Sequence, residues 1–325
     1  MSGIKDIAKK AGVSISTVSY ALNGSDRITE KTKQKVLKIA KEMNYIPNLA
    51  VRGLKKQKTK IVEMYVADFG GYFYAHLLDG VASMLKTRGY ELIVASGGQR
   101  AQAFISQKLV DGAIILDPNF SSKAIAGLAK SGSKLVLMDR ELKLKNVSHV
   151  LLNNAQGAAQ SVNELLNSAA DVFAILTGPK DSYDAKKRLE AALDTFHEKT
   201  DQPVMVLSGN FTIESGRKAA LQIGKICRQN QIVGVFATND EMAFGLYEGL
   251  KEQNLQPGKD VLIIGFDNDL LAAYLQPKLT TVGYSKHQWG RKAAEVLLKM
   301  IDQDQVSNEI IPTKVVKRQS LGEQA

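Results

Sequence analysis

The sequence predicts an α/β protein: an all-helical amino end of three helices with helix-turn-helix spacing, followed by two α/β lobes. Three observations carry this reading. Apolar residues recur at helical spacing through Ile4 to Asn23. From Ile61 onward short apolar runs alternate with helical patterns, the rhythm of parallel sheets covered on both faces. Charge is divided unevenly: residues 1–60 hold 14 Lys and Arg against 4 acids, and the rest of the chain carries 29 of each.

The elements of the amino end follow in order. Ile4, Ile7, Ala8 and Ala11 line one face of a short helix. Gly12 stops it, because glycine takes the left-handed conformation beyond a helix end without strain, and Ser14 is placed to cap a second helix. That helix buries Val18, Ala21 and Leu22 and turns Ser16, Thr17 and Tyr20 toward water or whatever replaces it. Two short helices joined by a Gly-containing turn form a helix-turn-helix, whose second helix enters the DNA major groove. Thr29 caps a third helix, Glu30 to Met43, with Val36, Ile39, Ala40 and Met43 on one face. Tyr45-Ile46-Pro47 ends it, since the residue before a proline avoids the α region. Periodicity alone also fits ordinary surface helices. The basic excess favours a phosphate-binding module, because neutralised phosphates release counterions.

The string MSGIKDIAKKAGVSISTVSYALNGSDRITEKTKQKVLKIAKEMNYIPNLAVRGL resembles, nearly residue for residue, the headpiece of the lactose-repressor (LacI/GalR) family of bacterial transcription regulators. The resemblance implies that Ile15, Ser16 and Tyr20 read bases, Ser through hydrogen bonds and an apolar side chain through a thymine methyl. Ile15 also stands three residues before Val18, so it can equally be core. Thr17, Asn23, Tyr45 and Asn48 are assigned to phosphates, which set register without reading sequence. Residues 48–54, NLAVRGL, match the family's hinge helix, with Leu54 as the wedge between base pairs. A plain linker is the competing reading. Gly53 and the short length leave such a helix marginal by itself. Many members carry Arg at the position of Tyr20, and Arg is the usual reader of guanine, so the family's common operator does not carry over.

In the body the apolar runs are 61–67, 91–96, 112–116, 134–138, 149–153, 172–176, 203–207, 232–236 and 261–266. Helical stretches lie between most of them, at 75–87, 155–166, 185–197, 214–228, 241–253 and 289–301. Such a length exceeds one comfortable core, so two lobes are expected. This region resembles the family's periplasmic-binding-protein-like effector domain, in which lobes close over a small ligand. The resulting division is 1–47 headpiece, 48–60 hinge and linker, and 61–325 effector-binding and dimerisation domain. The first lobe covers about 61–155 with a returning 285–315, and the second about 156–284.

Open α/β sheets bind ligands at the carboxyl ends of their strands. Asp139, Arg188, Asn239 and Asp267 stand at or just after strand ends and match the family's ligand contacts; Phe73, Phe211 and Tyr284 match its aromatic ones. Carboxylate, amide and guanidinium groups can each hold two sugar hydroxyls. Core packing competes for each aromatic, and Asp240 is a possible helix cap. Several departures limit ligand identity: Gly71 to Tyr74 replaces a common NPFF, the segment from Ser96 to Ile115 is short enough to curtail its helix, Asn153 replaces a common Asp, and GFDD becomes GFDND.

No cofactor, metal or catalytic centre is expected. Tyr183 and Lys187 show a YxxxK spacing without a dinucleotide turn, Ser83 to Lys86 spells SxxK without companion motifs, and His76, His149, His197 and His287 are scattered. The single cysteine, Cys227, excludes an internal disulfide. No apolar run approaches the roughly 18 residues of a membrane span, and the basic start is not an export signal. The expected protein is cytoplasmic, a homodimer or tetramer on double-stranded operator DNA, and a repressor answering to a small effector, a sugar first. A purine or a phosphorylated protein partner is the alternative effector. The alternative of another class is a transporter's solute-binding protein.

Overall fold

The computed structural model describes residues 3–22, 25–45, 58–70, 73–229 and 231–322. The chain separates into two compact units, residues 1–59 and 60–325.

The first unit holds three helices, α1 (Ile4–Ala11), α2 (Ile15–Leu22) and α3 (Glu30–Glu42). Their ends are set by local chemistry. The Asp6 carboxylate accepts the Gly3 amide at 2.8 Å, and Gly12 adopts φ 66° at the end of α1. Ser14 Oγ accepts the Thr17 amide at 3.0 Å, and Thr29 Oγ1 accepts that of Thr32 at 3.3 Å, so both expected caps are in place. Ile7, Ala8, Ala11, Val18, Ala21, Val36 and Ala40 form the core, flanked by Ile4, Val13, Leu22, Ile28, Ile39, Met43 and Tyr45.

The second unit is built on two six-stranded sheets. The first takes β1 (Ile61–Val66), β2 (Glu91–Ser96), β3 (Gly112–Leu116), β4 (Lys134–Leu137), β5 (Val147–Leu152) and β11 (Glu309–Ile311), in the spatial order 11-5-4-3-1-2 and parallel throughout. The second takes β6 (Val172–Thr177), β7 (Val204–Ser208), β8 (Val233–Ala237), β9 (Val261–Phe266), β10 (Thr280–Gly283) and β12 (Lys314–Val316), in the order 12-10-9-8-6-7. Only β12 runs antiparallel among these, against β10.

Helices cover both faces of each sheet. Around the first lie α4 (Phe73–Lys86), α5 (Gln99–Ser106), α6 (Ser122–Lys130) and α11 (Lys286–Gln303); around the second lie α7 (Asn154–Leu166), α8 (Tyr183–Lys199), α9 (Ile213–Cys227) and α10 (Asp240–Lys251). Trp289 anchors the first core and donates its indole N–H to the Val150 carbonyl at 2.8 Å. Gly80 and Gly290 let α4 and α11 approach until a Cβ on either would collide with the other's backbone.

The chain passes between sheets three times, at 152–154, 283–286 and 311–314. The last passage differs from the expected return of 285–315, because β12 pairs with β10 and Ser320 bonds to Ile263 of β9. The sequence reading omits α6 and β10 to β12. The helix is short, nine residues with Gly127 inside it, and the three strands are only three or four residues long. The curtailed helix between β2 and β3 is α5, of eight residues.

Candidate functional site

In the first unit the candidate base readers open α2. Ile15 is 44% exposed and lies outside the core, which decides between its two readings in favour of the surface. Ser16 is exposed beside it. Thr17 is half-buried, with its hydroxyl 2.9 Å from Ser14 Oγ. One turn further, Tyr20 accepts a hydrogen bond from Arg27 at 3.4 Å, and the guanidinium stands 5.7 Å from its ring centroid. Tyr45 packs against the core, and its amide bonds to the Ala40 carbonyl at 2.9 Å. Asn23, Asn48 and Leu54, with the hinge segment, lie outside the described residues.

In the second unit the carboxyl edges of the two sheets face each other. Tyr183 at the start of α8 donates to the Glu141 carboxylate, just past β4, at 2.7 Å. Tyr74 of α4 has its hydroxyl pKa raised, by burial first and then by the charges of Asp68, Asp117, Asp139 and, from the other sheet, Glu241.

Arg188 is the centre of one connected group. It does not follow a strand, as the sequence suggested, but sits in the second turn of α8, 4% exposed. Its Nε donates to Asn154 Oδ1 at 2.8 Å, its Nη1 donates to the Thr238 carbonyl at 2.6 Å, and its Nη2 lies 3.6 Å from Asp267 Oδ1. The guanidinium carbon stacks 3.6 Å from the centroid of Phe266. A desolvated stack of this kind contributes on the order of 2 kcal/mol. Asp267 follows β9 with φ 113°, a conformation that costs a non-glycine residue about 1–3 kcal/mol and must be held by its surroundings. Its carboxylate accepts the Tyr284 hydroxyl at 2.9 Å. Burial pushes the Asp267 pKa up to about 6, with Arg188 pulling the other way.

The other expected residues take more distant or more structural places. Asn239 caps α10, its Oδ1 accepting the Met242 amide at 3.0 Å and its Nδ2 donating to the Phe211 carbonyl at 2.9 Å. Asp240 is therefore not the cap. It is fully buried, accepting from Thr281 at 2.6 Å and from the Asp269 amide at 2.7 Å, and burial holds its pKa well above the carboxylate range. Phe211 is half-buried at φ 68°. Asp139 is buried, with its two oxygens 2.9 and 2.7 Å from Arg140 Nε and Nη2. Phe73 opens α4 and meets Tyr74 and Trp289 edge-on. Asn153 caps α7 through the Gln156 amide.

Sequence reasoning missed Lys286, whose Nζ lies 2.9 Å from Asp269 Oδ1 and donates to the Asp267 carbonyl at 2.5 Å. It missed Asn154, which joins Arg188 to Asp184. No motif or spacing marked either residue. Among the described residues no three His, Cys, Asp or Glu are placed to hold a metal ion, and no helix is long and apolar enough to cross a membrane.

A helix-turn-helix headpiece with a two-lobed α/β body, whose polar residues gather at facing strand ends, is the build of a ligand-responsive DNA-binding regulator. The profile of bacterial regulatory proteins, lacI family, matches residues 3–48, and that of the periplasmic binding protein-like domain matches 162–321. The HTH-type transcriptional repressor PurR of Vibrio atlanticus is 31% identical over 98% of this chain and 99% of its own length. The ribose operon repressor of Haemophilus influenzae is 31% identical over 93% of this chain and 92% of its own. The crystal structure of a sugar-binding transcriptional regulator of the LacI family from Enterococcus faecalis is 40% identical, with TM-score 0.75 over 82% of this chain and 99% of that one. The chain belongs to the lacI family of bacterial regulatory proteins, and it is a DNA-binding transcriptional regulator with a ligand-binding domain.

Proposed function

We propose that this regulator is a repressor of carbohydrate uptake or catabolism genes, and that a small sugar bound between the lobes controls its operator affinity. The observation that carries the ligand class is the connected set of Arg188 on α8 with Asp267 and Tyr284 at the ends of β9 and β10. It combines fixed donors and acceptors with aromatic rings, the surface that a hydroxyl-bearing ring with apolar faces fits. The sugar-binding Enterococcus faecalis relative supports the same class. Ile15, Ser16 and Tyr20 are the base readers, Thr17, Asn23, Tyr45 and Asn48 the phosphate contacts, and Leu54 the wedge. Phe73, Asp139, Phe211 and Asn239 complete the effector wall with the three residues above.

The acting unit is a homodimer, or a pair of them, on a pseudo-palindromic operator. Leu270, Leu271 and Tyr274 support it: they are 57%, 41% and 72% exposed around one short 3₁₀ turn, a grouping of large side chains of the kind that marks contact between proteins. The protein regulates and does not catalyse, and it works in the cytoplasm.

Selection from a random duplex library with the full chain, followed by thermal-shift screening of sugars, tests this. The expected result is a two-fold symmetric consensus and one sugar that raises the melting temperature and changes affinity for that consensus. Absence of any enriched duplex at low ionic strength would remove the DNA reading. Stabilisation by phosphorylated or purine compounds alone would remove the sugar.

A further inference from the structure

Lys286 touches three residues of the effector site: the Asp267 carbonyl accepts a hydrogen bond from its ammonium, and the rings of Phe73 and Tyr284 have their centroids 5.4 and 5.3 Å from its Nζ. It is only 8% exposed. It opens α11, which packs on the first sheet, whereas Asp267 and Asp269 follow β9 of the second. A lysine as first residue of a helix opposes the helix dipole, so the helix gains nothing electrostatically from this cation. The neighbouring carboxylates do. Asp267 and Asp269 stand close enough for each to oppose ionisation of nearby acids, and Asp240, at the start of α10, adds a third carboxyl beside them.

Lys286 also lies at the passage 283–286, one of the three places where the chain changes sheets. Hinges of two-lobed proteins consist of a few such element-terminal residues. A desolvated ion pair tolerates little separation, because neither charge regains water until the pair is wide open.

We infer that Lys286 is the positioning residue of the inter-lobe hinge: paired with Asp269 and bonded to the Asp267 carbonyl, it sets the angle at which the two carboxyl edges meet. Its consequence for operator control rests on the regulatory reading above, and its geometry does not.

Hydrogen exchange on the full chain, without operator or effector, separates the two. Lys286→Met keeps length and apolar stem and removes the charge. Amides of 267–269 and 283–286 are expected to exchange at least about tenfold faster, while those of 290–303 keep their rates. Lys286→Arg, which can still reach Asp269, is expected to restore the original rates. Unchanged rates at 267–269 in Lys286→Met overturn the inference, as does equal acceleration along all of 286–303, the mark of a helix merely loosened. If Lys286→Met does not fold, Asp269→Asn is measured in its place: the same local acceleration supports the pair, and original rates overturn it. A wild-type chain that selects no duplex would sink the regulatory reading and leave this measurement standing.

Discussion

The two units of this chain are stabilised in different ways. The headpiece closes its core with Ile7, Val18, Val36 and four alanines, and every helix in it begins with a contact within a few residues. The body buries Trp289, several phenylalanines and whole strands, and holds ionisable groups such as Arg188 and Glu63 inside. A small core leaves the headpiece little reserve. The larger body can retain buried charge and backbone strain, and its site depends on both.

The contrast can be broken at chosen points. The largest effect is expected from Arg188→Met, which leaves Asp267 buried without its cation. About 3–5 kcal/mol should be lost from the body, seen as a lower calorimetric transition for that unit and no change in headpiece melting. A melting temperature unchanged by the substitution would mean that Asp267 does not need the guanidinium. Ile7→Ala comes next at about 2–5 kcal/mol. For so small a unit this approaches the whole stability, so DNA binding at low salt should vanish while the body's transition persists; retained binding would show a sturdier headpiece than its core suggests.

Glu63 sharpens the comparison from the other side. It is 0% exposed on β1, neither carboxylate oxygen has a hydrogen-bond partner, and burial raises its pKa to about 7 from 4.5. The folded body keeps a proton there that the unfolded chain has already lost above pH 4.5. Stability therefore falls as pH rises from about 4.5 to about 7 and levels off beyond, by up to about 3 kcal/mol from this group. Glu63→Gln should flatten that slope in denaturant titrations at pH 5, 6, 7 and 8. An unaltered slope would place the titration elsewhere. The smallest effect belongs to Ser14→Ala, which removes the cap of α2 and should cost the headpiece about 1 kcal/mol, read as a shift in its melting midpoint; a shift of zero would assign the amide of Thr17 another partner.

Legibility in the sequence follows the same division. The headpiece could be read because its determinants are local: Gly12, Ser14 and Thr29 act on residues three or four away, and the apolar positions repeat with the helix turn. The longer strands of the body announced themselves as apolar runs. β10 did not, because Thr280 and Thr281 are buried polar residues whose partners, Ser320 and Asp240, are distant in the chain. Arg188, Asp267 and Tyr284 were found through family resemblance, and no spacing joins them.

By itself, the sequence determined the order of helices and long strands, the charge of the amino end and the capping of its helices, since each depends on neighbours within a turn or a strand. Only the tertiary structure decided that Ile15 faces outward, that Asn239 rather than Asp240 caps its helix, that Asp139 is held by Arg140, and that Lys286 pairs with Asp269. Those outcomes depend on which groups lose water together, and desolvation is a property of packed surfaces that no local pattern of residues records.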